Sequence, residues 1–381
     1  MMPDGAYDSD LLSLAEVRGL ASWTELCGPS DLFCTPRWLA VEQTGTGPWV
    51  PAANGCLVTG RNGRPIAGAT LQSFDQGVDD DTCRVDLMVR ALPQSRGLSD
   101  AALADGLLPS LTCGGWFNST VMIAPGASDG EAAAARRALL TRAVDVGRAW
   151  ACASICLPYV DASDSALRQL LREDGYLELP APDRHVLSCD HPNLESYLAS
   201  LPSRRRVRRR KELRICREAG VTTERLPLDD STVERVGVLA HNLERKYGQS
   251  SSARQLTEWF AAIATHLTAS VFTASLNGEV VAMTLWLHHA DRLYGFHAGF
   301  DYRVGRGLPL YSLVGYHLPV AYGLATPGIR VLEYGISADE AKRLRGTAAL
   351  PQLLCLKPLT PAARECVERL ADAARPAVLV P

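Results

Sequence analysis

No run of about 18 apolar residues occurs in the 381-residue chain, which excludes a membrane-spanning helix. The opening MMPDGAYDSD is acidic and lacks an apolar core, so it does not read as a secretory signal. No C-x-x-C occurs among the eleven cysteines, and their odd number and scattered spacing argue against a disulfide framework. Most, such as Cys152 and Cys156, sit in apolar runs and are expected as buried free thiols, which fits a reducing cytoplasm. No H-E-x-x-H or comparable spacing is found. His288 and His289 are adjacent and would face opposite sides of a strand, so no metal site is expected. The missing G-x-x-x-x-G-K-[ST] argues against a P-loop ATP-driven ligase. No Ser or Cys stands beside an evident base, so no covalent nucleophile is expected.

What is present is an ordinary globular composition with an unusual charge distribution. The chain is 47% hydrophobic and 21% charged, enough to bury a sizeable core, and its length suggests two domains. The net charge of −3 conceals one basic stretch. Residues 204–217, RRRVRRRKELRICR, hold nine basic residues against one acid. That segment carries +8, so the remainder carries −11. A basic element on an otherwise acidic chain points to a polyanionic partner. The stretch is expected as a helix over 203–219, with Ser203 as its N-cap and Gly220 as its stop. Arginines occupy nearly every azimuth, and like charges at i, i+4 such as Arg206/Arg210 oppose the helix until a polyanion or acidic protein surface neutralises them.

Two Asn-Gly dipeptides are flanked by strand-like runs, at Asn62-Gly63 and Asn277-Gly278. Set on one another, they bring Ile66 onto Val281 and Ala67 onto Ala282, and each unit is followed by a helix and then a strand. This suggests a diverged duplication, with domains at 1–190 and 191–381. Elsewhere helices are expected over Leu11–Leu26, from Pro36 to Gln43 with Thr35 as N-cap, Asp129–Ala149, Ser163–Arg172, Asp230–Lys246, Ala253–Leu267, 308–323 and Pro361–Ala374. Strands are expected at Cys83–Val89, Phe117–Ile123, Ala153–Tyr159, His185–Cys189, 329–334 and Gln352–Leu356.

The stretch from Leu293 to Gly346 organises the second half. It reads as strand, glycine turn, apolar helix, strand and a short lysine-bearing helix. The turn Asp301-Tyr302-Arg303-Val304-Gly305-Arg306-Gly307 places two arginines and two glycines before a helix, a pattern suited to an anion. His297 sits mid-strand among aromatics, as a base for an attacking amine or as a core histidine. Asp301 either caps the turn or orients an acceptor amine. Tyr294 and Glu333 are candidates to contact the acceptor.

Several segments together resemble the Gcn5-related N-acetyltransferase (GNAT) superfamily, in particular its double-domain, Fem-type branch. They are Ser203-Arg204-Arg205-Arg206, the Asn277-Gly278 hairpin, Tyr294–Asp301 with its glycine turn, Val331–Gly335, Ala341-Lys342 and Gly346. In the first half, Phe33-Cys34-Thr35-Pro36-Arg37-Trp38-Leu39 is similar to the family's opening helix. The resemblance implies an α/β chain of two tandem GNAT-like domains, with mixed, mostly antiparallel sheets flanked by helices. It implies an amide-forming acyltransferase with no permanently bound cofactor, taking aminoacyl-tRNA as co-substrate and passing the amino acid by direct attack to an amine of a small molecule or peptide. Lys342 would then face the donor's 3′ end or stabilise the oxyanion. Arg204, Arg205, Arg208, Arg209, Tyr302, Arg303, Gly305, Arg306, Gly307 and Arg345 would bind donor phosphates. Gly305 and Gly307 also match the superfamily's coenzyme A loop, although Tyr302 stands where that loop has Gln or Arg. An acyl-coenzyme A donor is therefore the alternative, and a non-catalytic RNA-binding module a third reading.

Overall fold

The computed structural model describes residues 7–374 except 48, 79, 119 and 120. Thirteen strands are found among them: β1 (Asp8–Leu12), β2 (Ala53–Arg61), β3 (Arg64–Phe74), β4 (Ser110–Cys113), β5 (Met122–Ile123), β6 (Ser154–Asp161), β7 (Leu177–Ser188), β8 (Thr222–Pro227), β9 (Ala269–Leu276), β10 (Glu279–His289), β11 (Arg292–Phe300), β12 (Val331–Gly335) and β13 (Ala348–Pro358). The chain forms two compact units. The first takes residues 1–43, 49–182 and 351–381, and the second takes 44–48 and 183–350. This differs from a single cut near 190, because the last 31 residues belong to the first unit.

Both Asn-Gly turns form tight hairpins. Asn62 and Gly63 have φ of 54° and 74°, and Asn277 and Gly278 have 54° and 84°. Two consecutive positive φ values are what a two-residue hairpin matching strand twist requires. In the first unit the strand order is β1-β2-β3-β4-β6-β13, with β5 on β3. Only β4–β6 is parallel. The second unit runs β7-β12-β11-β10-β9-β8, with only β11–β12 parallel. Strand for strand, β2-β3-β4-β6 matches β9-β10-β11-β12, as a duplication predicts. The exchange lies at the closing strand. Residues 185–188 of β7 close the second sheet on β12, and residues 352–358 of β13 close the first on β6.

Alternation of apolar side chains gives each sheet two covered faces. In the first unit Leu57 joins the helix Asp129–Ala149 through Leu139, Leu140 and Ala143, while Cys56 and Val58 pack with Trp23, Leu26 and Leu39. In the second unit the helix Val233–Lys246 lies against β11 so closely that a Cβ on Gly299 would fall within 2.5 Å of the Ala240 nitrogen.

Some elements depart from the sequence reading. Residues 8–26 begin as β1 and continue as two short helices, Leu14–Arg18 and Ala21–Leu26, parted at Gly19. Cys83–Val89 is no strand. Val85–Arg90 is helical, and Arg84 reaches back to Asp86 at 2.6 Å. Of Phe117–Ile123 only β5 is extended, and two of its residues lie outside the described ones. The basic helix runs Ser203–Glu218 with Pro202 as its cap, so Ser203 is its first residue.

Candidate functional site

The second unit's site grows from one topological event. β11 and β12 pair in parallel only over Arg292–Tyr294 and Val331–Glu333. Beyond that β11 continues to Phe300 along β10, while β12 shifts register against β7 between Glu333 and Gly335. The two parallel strands therefore separate past Tyr294. At this point the apolar helix following the glycine turn loses regularity. It runs helical over Leu310–Ser312, widens to a π-turn over Leu313–His317, and resumes at Leu318–Ala325. Such widened turns recur at functional sites. Val314 turns its carbonyl to the Thr284 hydroxyl, at 2.6 Å, which secures the turn to β10.

Around the π-turn lies a cluster of polar and aromatic side chains, buried at Arg209, Ser312, Tyr316 and His317 and open to solvent at Tyr311. Tyr316 stacks on Tyr334 with centroids 4.7 Å apart. Tyr311 meets Tyr316 edge-on, hydroxyl to hydroxyl at 3.3 Å. The Arg345 guanidinium lies 4.6 Å from the Tyr316 centroid and 5.3 Å from that of Tyr311. From the basic helix, Arg209 turns inward, only 4% exposed, and donates to Ser312 Oγ at 2.6 Å and Glu212 Oε2 at 2.8 Å. Ser312 in turn donates to Glu212. His317 Nε2 stands 3.7 Å from Glu212, beyond hydrogen-bond reach. Burial pushes Glu212 up, but the Ser312 hydroxyl and the Arg209 and Arg345 charges outweigh it and hold the carboxyl below its usual range. Burial, then the nearby Arg345, lowers Arg209. Arg208, at 3.5 Å, shares the Glu212 carboxylate with Arg209, and Arg209 Nε, Arg345 Nε, His317 Nε2 and the Tyr334 hydroxyl are buried without hydrogen-bond partners among the described residues. The cluster carries a surplus of donors and of positive charge.

Lys342 stands beside it on the short helix Asp339–Arg343 and is 5% exposed. Its Nζ donates to the carbonyls of Gly335, at 3.0 Å, and Ile336. Those carbonyls are aimed by three left-handed residues, Gly335, Ser337 and Ala338. Burial lowers the ammonium to about 7, against the smaller opposing pull of Asp339. An open hollow of about 390 Å³ nearby is lined by Arg205, Asp339, Glu340, Arg343 and Leu344.

The remaining predicted residues fall elsewhere. The glycine turn satisfies itself. Asp301 Oδ1 accepts from the Arg303 and Val304 amides at 2.9 and 3.3 Å, and the Gly305 amide donates to the Asp301 carbonyl. The Asp301 carboxyl is lowered chiefly by the Arg303 amide bond. Arg303 and Arg306 are exposed, and Tyr302 lies under Lys246 at 4.4 Å. Gly305 is small because a Cβ would strike Leu310, and Gly307 has φ of 84°. His297 has both ring nitrogens engaged, with the Ala298 carbonyl at 2.9 Å and Glu244 at 3.1 Å, so neither is open to a substrate amine. Glu333 is 3% exposed and paired with Arg292 at 2.5 Å and Arg184 at 3.9 Å, inside the protein rather than on a cleft. Tyr294 is buried beside it on β11. On the basic helix Arg205 bonds the Arg343 carbonyl, while Arg204 and Arg208 are exposed. Sequence reasoning missed Glu212, Ser312, Tyr311, Tyr316, His317 and Tyr334. A lone acid within nine basic residues was the one available signal, and it marked Glu212.

A parallel strand pair that opens beside a basic helix, present in duplicate architecture, defines a tandem acyltransferase-type α/β protein. The FemAB-like family profile, described as peptidoglycan biosynthesis/recognition, matches residues 122–378. The chain belongs to the FemAB-like family. Among solved structures it is similar to FemX, at 12% identity over 95% of this chain and 99% of that one, with a TM-score of 0.63. A tandem GNAT protein from the clavulanic acid biosynthesis pathway matches at 14% identity over 93% and 99%, TM-score 0.53. The C-terminal domain of a putative lysylphosphatidylglycerol synthetase from Agrobacterium fabrum matches at 10% over 93% and 96%, TM-score 0.53. At such identities these likenesses show the fold, two tandem GNAT-like domains. No curated protein sequence matches the chain. Family and fold together point to an acyltransferase. No helix among the described residues is long and apolar enough to cross a membrane.

Proposed function

We propose that the chain forms an amide bond in the cytoplasm, transferring an aminoacyl group from aminoacyl-tRNA to an amine of a small molecule or peptide. The observation that carries this reading is the outward face of the helix Ser203–Glu218. Arg204, Arg208, Arg210, Lys211, Arg214 and Arg217 are all exposed along it. Arg204, Lys211 and Arg217 form no ion pair with any described residue. Planar guanidiniums in a row suit a phosphodiester backbone. The amine nitrogen attacks the donor's ester carbonyl, the C–N bond forms, and the ribose oxygen leaves with a proton. The ester is already activated, so a positioned cation suffices to stabilise the oxyanion. Lys342 and Arg345 are the nearest candidates for that charge.

The acyl-coenzyme A alternative draws support from Gly305 and Gly307. It is weakened by Asp301, whose carboxylate occupies the amides that a pyrophosphate would need. The test is binding of charged tRNA and of acetyl-coenzyme A, side by side, over a salt series. Steeply salt-dependent tRNA binding, weakened by Arg204→Gln with Arg208→Gln, supports the proposal. Saturable coenzyme A binding without preference for tRNA overturns it.

A further inference from the structure

The first unit holds a half-buried ionisable group that acyl transfer leaves unused. Glu42 lies near the end of the helix Pro36–Gln43. Its Oε1 accepts from the indole nitrogens of Trp38 at 2.7 Å and Trp116 at 2.8 Å. Gln72 also donates to the carboxylate. No cationic side chain among the described residues pairs with it. Burial raises its carboxyl to about 7, only partly offset by these neutral donors. A desolvated carboxylate held by neutral groups alone lacks its counter-charge.

Aromatic rings surround it. Trp49 and Trp116 lie 5.2 Å apart, tilted by 42°. Phe33 meets Trp38 edge-on at 4.8 Å, and Phe117 bridges Phe33 at 5.8 Å to Trp116 at 6.1 Å. Phe117 holds φ of 55°, a costly backbone for a bulky side chain, while Gln352 donates to its carbonyl at 3.0 Å. Trp38, Phe33 and Trp116 are buried, whereas Glu42, Trp49 and Phe117 reach solvent. Ring faces beside a carboxylate attract organic cations.

We infer that the first unit binds a primary alkylammonium group at Glu42, with Trp49, Trp116 and Phe117 as its walls. The ammonium hydrogens meet the carboxylate, and the indole N–H groups fix its orientation. This site does not depend on the acyl-transfer reading, because ammonium binding is measurable with no donor present.

The test uses n-butylammonium as probe, followed by tryptophan fluorescence and calorimetry, with n-butanol as the uncharged control. Saturable millimolar binding, at least about tenfold tighter than for butanol, is expected. Glu42→Gln keeps an oxygen for both indoles but removes the charge, and it should weaken binding by about tenfold or more. Trp49→Ala, at the solvent edge, should weaken it several-fold without lowering the melting temperature. If Glu42→Gln fails to fold, Trp49→Ala decides. Binding of butanol equal to butylammonium, no saturable binding, or affinity unchanged in the folded variants overturns the assignment.

Discussion

Lys342 combines a charge with a place that disfavours it. Its ammonium lies under a loop whose carbonyls hold it, while burial brings its titration down to about 7. The unfolded chain would hold the same proton up to about 10.4. Between these values the unfolded state binds more protons, so stability rises with pH through this window, and the penalty is complete below about 7. Lys342→Met should abolish that rise. Urea unfolding of both proteins from pH 7 to 9 should show the wild type gaining on the variant by about 2 kcal/mol. Parallel curves would mean that Lys342 is not desolvated. The lysine was legible in the sequence because its spacing from Gly335 and Gly346 matches a known pattern. Its two carbonyl partners were not, since they depend on left-handed backbone at Ser337 and Ala338 that no residue type announces. For His297 and Glu333 the identities were read, but their partners Glu244 and Arg292 lie far or on another strand, and only packing brings them together.

The basic helix divides its arginines between two tasks. Charge counting foresaw the outward face and could not foresee that Arg209 turns inward, because its azimuth looks like that of any other arginine. Only the single acid Glu212, three residues on, and Ser312 just ahead of the π-turn give it a place. Arg209→Ala should strand Glu212 in the interior and cost about 3 kcal/mol in chemical denaturation. Arg204→Gln on the outer face should change stability by less than about 0.5 kcal/mol. The same outer substitution should flatten the salt dependence of tRNA binding by about one unit of slope per lost phosphate contact. Equal destabilisation by both would contradict the division. The π-turn went unread because Leu313–His317, although it holds Gly315 and stands just before Pro319, lies in a largely apolar run long enough for one plain helix. Its widening is set by the Thr284 bond and by the tyrosines it must accommodate.

For the whole chain, the duplication could be read from two Asn-Gly turns, and the strand orders agree with it. The exchange of closing strands could not be read, because a strand carries no mark of which sheet it will join. Cys355 and Leu356 of β13, with Ala363 and Leu370 of the helix Pro361–Ala374, are buried in the first unit. A chain ending at residue 350 should therefore lose the first unit's cooperative melting and become protease-sensitive across 53–161, while residues 183–350 stay protected. Limited proteolysis with mass mapping checks this, and uniform protection would show that β13 is dispensable.

The same exchange has a consequence during synthesis. β6 is buried along nearly its whole length, yet its partner β13 is translated almost two hundred residues later. Until then the nascent first half presents an open apolar strand edge, the kind that recruits neighbouring chains. The first half of the gene product is thus the last to finish folding, and the ribosome-bound intermediate is where a chaperone would be needed most.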